Sequence, residues 1–149
     1  MLLSLSKLGD ESIKRLEYFD LLTNLFYFKA IYDPKGTEFI VFSQCPFDSL
    51  QNCITDKTEF EALENHVHLI EHVTKEEFNK LAPIAKNLGQ ALLNALKFNY
   101  PNKSFVVYVT IDLHDSLIIR FHQKWEGEEP YYPADFNSSA ILKIIMLEA

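Results

Sequence analysis

The sequence predicts an α+β fold in which residues 1–149 form one domain. We expect a mostly antiparallel sheet of two hairpins plus a central strand, packed against one long helix and an N-terminal helix. Aromatic and β-branched runs separated by turn residues predict the strands, and one long amphipathic pattern predicts the main helix. The length of 149 residues fits one domain with one core, and a hydrophobic content of 48% is ordinary for a globular protein.

The first third of the chain predicts a helix followed by a hairpin. Residues 10–24 begin with two acids and place apolar residues three or four apart, as amphipathic helices do. The strand-like runs 26–32 and 38–43 flank Asp-Pro-Lys-Gly at 33–36, where proline presets φ and glycine permits a positive φ. The two runs therefore predict a β-hairpin over residues 26–43.

The middle of the chain predicts two helices around a strand. Residues 44–55 are rich in turn formers, and residues 56–64 predict a short acidic helix. Residues 66–73 alternate, so we expect a strand that buries Val67, Leu69 and Val73 and presents His66, His68 and His72 on its other side. Thr74 and Glu77 form a capping box before an apolar stripe, which predicts a helix over residues 75–98. Pro83 and Gly89 interrupt the pattern and allow a kink near residue 82.

The last third predicts a second hairpin, an acidic aromatic loop and a tail. Residues 104–113 and 116–125 carry matching apolar faces around a short turn. These faces should pack on the long helix. The tail from Ser138 fits either a short helix or an edge strand.

Charge and cysteine content narrow the possible partners and compartment. The chain has 14 basic and 21 acidic residues, a net charge of −7, and only two arginines, Arg15 and Arg120. Nucleic-acid binding needs a clustered basic surface, so we expect no nucleic-acid partner. No apolar run reaches the length of a membrane span and no basic signal region precedes the apolar start, so we expect a cytoplasmic protein. The two cysteines, Cys45 and Cys53, are too few for a disulfide framework.

Two groups of side chains could bind a ligand or a metal ion. His66 and His68 share one side of the predicted strand and could share a metal ion, although an exposed polar face is the simpler interpretation. On the polar face of the second hairpin, Tyr108 and His122 could form a proton-transfer pair and Arg120 could hold an anion. The rival interpretation of that face is a solvated surface with cross-strand ion pairs.

The loop 125–135 is the third candidate, because it combines acids and large aromatic residues with no base. Two prolines limit its freedom, and carboxylates would steer a basic partner towards it. The alternative is that its aromatic residues pack down as a lid over the sheet. We expect the partner-binding residues to be Trp125, Glu126, Glu128, Glu129, Tyr131, Tyr132 and Asp135.

No catalytic motif accompanies these candidates. The chain has no nucleophile elbow, no glycine-rich phosphate loop, no paired-histidine zinc helix and no dinucleotide fingerprint. We therefore expect no cofactor and a non-catalytic protein. The alternatives left open are a small enzyme or ligand-binding domain and a subunit that self-associates.

With its acidic charge and the stretch 118–132 (IIRFHQKWEGEEPYY), the chain resembles the small acidic immunity proteins of bacterial toxin–immunity systems, including contact-dependent growth inhibition. Such proteins share no residue motif that could be carried over. The resemblance implies a cytoplasmic protein that binds and neutralises its cognate toxin domain. Such toxin domains are often nucleases with basic surfaces, which an acidic inhibitor would attract.

Overall fold

The computed structural model describes residues 19–133, 135–136 and 138–149, and within them the chain forms two sheets and two complete helices. Residues 19–24 are also helical, whereas residues 10–18 of the predicted N-terminal helix lie outside the described residues. The elements are β1 (Phe28–Tyr32), β2 (Glu38–Phe42), α1 (Lys57–Glu64), β3 (His66–Glu71), α2 (Lys75–Asn99), β4 (Phe105–Asp112), β5 (Ser116–Gln123) and β6 (Leu142–Glu148).

The α+β class, both hairpins and the long helix are confirmed. β1 and β2 form a two-stranded antiparallel sheet, and the other strands form a second antiparallel sheet in the order β3-β5-β4-β6. β3, expected as a central strand, lies at an edge of this sheet. It pairs with β5, whose other side is taken by β4. The tail, which fitted either a helix or a strand, forms the opposite edge.

The inner face of the four-stranded sheet packs on α2 and forms the main core. Alternate β4 residues, among them Val107 and Val109, are fully buried there with Leu92 and Leu96 of α2. Gly89 permits the close approach, since a Cβ at this position would lie 2.9 Å from Leu147 Cδ1. The helix begins at the predicted capping box and continues through Pro83 as one element.

The strand of histidines is shorter and less regular than its alternation predicts. β3 ends at Glu71, and its register with β5 shifts between His68 and Ile70. His72 has left the strand and adopts a φ of 58°, so it does not share a face with His66 and His68. The expected row of three histidines is therefore wrong at its third member.

Two further findings concern the cysteines and the helices. Cys45 is buried, Cys53 is exposed, and both are free. None of the helices in the described ranges is long and apolar enough to cross a membrane.

Candidate functional site

The outer face of the four-stranded sheet, opposite α2, lies beneath the loop that follows β5. Tyr131 and Tyr132 pack on this outer face, and the Tyr132 ring lies 5.0 Å from the Tyr108 ring. Tyr108, Arg120 and His122 come together there as predicted, but they are only 0%, 8% and 2% exposed. The interpretation of this face as solvated is wrong, because alternation reports the polarity of a face and not what later covers it.

Tyr108 and His122 are joined by a hydrogen bond, but their arrangement does not favour proton transfer between them. His122 Nδ1 lies 2.6 Å from the Gln123 carbonyl and must donate to it, so Nε2 accepts from the Tyr108 hydroxyl at 3.4 Å. Burial lowers the pKa of His122 and raises the pKa of Tyr108. The two shifts widen the difference between the two pKa values, so proton transfer from the phenol to the imidazole is disfavoured.

Arg120 lies under the loop without a hydrogen-bond partner for its Nε. Its Cζ atom is 4.7 Å from the centre of the Tyr131 ring and 5.7 Å from that of Tyr132. Among the buried side-chain nitrogen and oxygen atoms of the described residues, Arg120 Nε is the one that makes no hydrogen bond. Cross-strand neighbours in the register are Tyr108 on β4 and His66 on β3.

The predicted partner-binding loop is divided between packed and exposed residues. The Trp125 ring packs 5.5 Å from that of Phe39, and its Nε1 donates to Glu61. Glu128 accepts hydrogen bonds from the backbone N–H of Thr58 at 2.7 Å and from Lys57, so it caps the start of α1. The exposed members of the predicted set are Glu126, Glu129 and Asp135, while Tyr131 and Tyr132 are half-buried.

An acidic groove lies between the start of α1 and this loop. It has a volume of about 440 Å³ and contains four carboxylates with threonine, proline and tyrosine side chains. The residues that line it are Thr55, Asp56, Thr58, Glu59, Glu128, Glu129, Pro130 and Tyr131. Burial acts to raise the pKa of Glu128, but hydrogen bonds from Thr58 and Lys57 hold it below its usual value. Glu59 and Glu129 are exposed and form no ion pair within the described chain.

A buried polar junction, formed by Glu61, Asn65, Gln123 and Trp125, joins the two sheets. Glu61 is fully buried, and each of its oxygens accepts two hydrogen bonds. Its four donors are Ile40 N at 2.9 Å, Gln123 N at 2.7 Å, Gln123 Nε2 at 2.7 Å and Trp125 Nε1 at 3.1 Å. Burial raises the pKa of Glu61 to about 7, because these hydrogen bonds offset only part of the desolvation.

The same junction covers the free edge of β2. Asn65 donates to the Ile40 carbonyl at 2.8 Å and accepts from the Phe42 N–H at 3.1 Å, as a neighbouring strand would. Sequence reasoning missed these roles, because Glu61 appears in an acidic helix and Asn65 follows its end. The signal available was Glu61 in phase with the buried Ala62 and Thr58.

His66 and His68 lie side by side but are not joined by a third ligand. Their rings are 5.6 Å apart, both residues are exposed, and His66 Nδ1 contacts the Leu63 carbonyl. Among the residues whose placement is described, no group of three or more histidine, cysteine or acidic side chains could hold a metal ion.

Comparison with curated proteins and with solved structures finds no significant match. A protein family matches residues 8–148, which is nearly the whole chain. The description of this family gives no activity. The chain belongs to this family, the Uncharacterized protein PM0498 family.

Proposed function

We propose that this protein is a non-catalytic, cytoplasmic binding protein, an immunity protein that binds and neutralises a cognate toxin domain. The observation that supports the proposal is the acidic groove beside α1. The groove is open and is lined by four carboxylates in a chain of net charge −7. Such a surface attracts a basic protein and repels nucleic acid.

The contact surface proposed here is smaller than the predicted loop. Trp125 and Glu128 already serve the fold, so the groove residues available to a partner are Glu59, Glu129 and the half-buried Tyr131. An exposed carboxylate next to a half-buried tyrosine suits a basic side chain flanked by an apolar one, since tyrosine is a frequent interface anchor. Glu126 and Asp135 belong to the exposed part of the same loop.

Neutralisation would follow from the same electrostatics. A toxin domain that cleaves nucleic acid presents a basic cleft to its substrate, and an acidic inhibitor seated there competes for the same charges. The interaction should weaken as salt is raised, because screening shortens the range of exposed charges to about 8 Å at physiological ionic strength.

The test is affinity capture from the native host with this protein as bait, at low and at high salt. We expect a basic protein that is captured at low salt and lost at high salt, and whose isolated domain stops growth unless this protein is co-expressed. A double variant, Glu59→Lys with Glu129→Lys, should lose both capture and protection while leaving the Glu128 hydrogen bonds in place.

The matched control is a second double variant, Glu71→Lys with Asp115→Lys, which reverses the charge of two exposed acids near the start of β5, away from the groove. It changes the net charge equally, and we expect capture and protection to weaken far less than in the groove variant. If both double variants lost capture and protection equally, the interaction would depend on the net charge of the protein and not on the groove. A partner that the groove variant still binds and neutralises would contradict the proposed surface. A host that yields no partner at either salt would favour the rival, a small enzyme or ligand-binding domain.

A further inference from the structure

Arg120 carries a buried positive charge that the described residues compensate poorly. It is 8% exposed, and its Nε makes no hydrogen bond. Two tyrosine rings lie against the guanidinium, at 4.7 and 5.7 Å from Cζ. Cation–π contacts of this kind offset only part of the free energy that is lost when an ion is removed from water.

The neighbours of Arg120 offer it no negative charge in the sheet. Every ion pair within the described part of the chain uses a lysine, and none includes Arg120. Its register partners are His66 and Tyr108, and burial raises the pKa of Tyr108, so the phenol stays neutral. A buried guanidinium in such surroundings is satisfied best by an anion from outside.

The edge strand β3 borders Arg120 on the side away from Tyr108. The register places His66 opposite Arg120 and His68 opposite Ile118, so both imidazoles lie on the outer face beside the guanidinium. Both histidines are exposed, while Tyr131 and Tyr132 cover Arg120 itself. The Leu63 carbonyl engages His66 Nδ1, which leaves His68 as the freer donor at the rim.

We propose that Arg120, with His66 and His68 at its rim, binds a small-molecule oxyanion, a phosphate or a carboxylate. The planar guanidinium presents paired N–H donors that match either group, and the tyrosine rings hold that plane in place. A polyanion is a poorer match, because nucleic-acid binding requires several phosphate contacts and this site has a single arginine. The site uses none of the residues of the acidic groove except Tyr131, and it stands whether or not the protein neutralises a toxin.

The first test is thermal unfolding during titration with inorganic phosphate and, separately, with citrate, at constant ionic strength. We expect either anion to raise the melting temperature of the wild type, by about 5–10 °C at a hundred-fold excess over its dissociation constant. The Arg120→Met variant should show no such rise. Lys80→Met, which removes an equal charge from an exposed site on α2, should respond as the wild type does.

The two anions distinguish the chemistry of the ligand. A rise with phosphate alone indicates a site that prefers the phosphate group, and a rise with citrate alone indicates a site that prefers carboxylates. No rise with either anion, or an equal rise in Arg120→Met, would overturn the proposal.

A second measurement does not depend on how well a variant folds. The chain has only two arginines, so its nitrogen-15 spectrum contains two Nε–H signals, which an Arg15→Lys variant assigns. We expect phosphate or citrate to shift the Arg120 signal in a saturable way. An Arg120 signal that neither anion moves would contradict binding at this guanidinium.

Discussion

Glu61 and Arg120 are both buried charged residues near the same end of β5, and the fold treats them in opposite ways. The four hydrogen-bond donors around Glu61 come from three residues, Ile40, Gln123 and Trp125. Arg120 has two aromatic rings against it and no acceptor for its Nε. Burial alone therefore does not distinguish a buried charge that serves the fold from one that can bind a ligand, whereas the number of its hydrogen-bond partners does.

The largest effect should come from Glu61→Gln, which alters the fully hydrogen-bonded carboxyl. At pH 5 the folded carboxyl is protonated, so its hydroxyl already faces one of the four donors, whereas an amide turns its NH₂ towards two of them and loses a further buried hydrogen bond. We expect the free energy of unfolding to fall by about 3 kcal/mol at pH 5. Urea denaturation measures this loss, and Glu59→Gln, an exposed change on the same helix, should change stability by less than about 0.5 kcal/mol.

The difference between the wild type and Glu61→Gln should also depend on pH. The pKa of Glu61 is raised to about 7 in the folded protein from an ordinary 4.5, so the folded state holds this proton more tightly. This carboxyl therefore contributes stability that is fully present below about pH 4.5 and is lost as pH rises through about 7. We expect the difference to shrink by about 2–3 kcal/mol between pH 5 and pH 8. A difference that grows over this range would contradict the raised pKa.

A smaller loss is expected from Asn65→Leu, which keeps the volume of the side chain and removes its amide. The Phe42 N–H and the Ile40 carbonyl of β2 would then be buried without partners, at about 2 kcal/mol. The backbone amide of Phe42 should also exchange its hydrogen faster in the variant, because it loses its hydrogen-bond acceptor. Asn94→Leu, on the exposed side of α2, is the control, and equal exchange rates in wild type and Asn65→Leu would refute the edge-covering role.

A double-mutant cycle between Arg120 and Tyr131 measures how much the aromatic ring stabilises the guanidinium. If the ring stabilises the guanidinium, Tyr131→Leu should cost about 1 kcal/mol more in the wild type than in the Arg120→Met background. Chemical denaturation in a buffer free of phosphate and carboxylates measures both changes. A coupling energy near zero would mean that the ring merely covers the face.

The smallest effect is expected from Glu128→Gln at the start of α1. Gln can still accept one backbone hydrogen bond, but it loses the charge that favours a helix N-terminus, so we expect a loss of about 0.5–1 kcal/mol at pH 7. The pKa of Glu128 is lowered in the folded state, so its contribution is present above about pH 4.5 and disappears as pH falls. The wild type and the variant should therefore converge in stability as pH falls below the lowered pKa of Glu128, and a gap that persists in strong acid would contradict the capping role.

Several elements could be read from the sequence because their causes are local. Thr74 and Glu77 mark the start of α2 three residues apart, and the turn at 33–36 contains the positive φ of Gly36. The second hairpin follows from two apolar faces joined by a short turn. The pairing of Tyr108 with Arg120 and His122 on one face also follows, because strand alternation fixes which side chains share a face.

What covers these faces was decided only by the tertiary structure. Glu61 meets Gln123 across 62 positions in the chain, and Lys57 meets Glu128 across 71. No local pattern records such contacts, so the loop 125–135 could be predicted as acidic and aromatic but not divided into packed and exposed residues. Most of the secondary structure and the residues that share each strand face follow from local patterns, since these depend on neighbours a few positions away. The tertiary structure decided which charges are satisfied and which is left for a ligand, because hydrogen-bond partners depend on the whole packed chain.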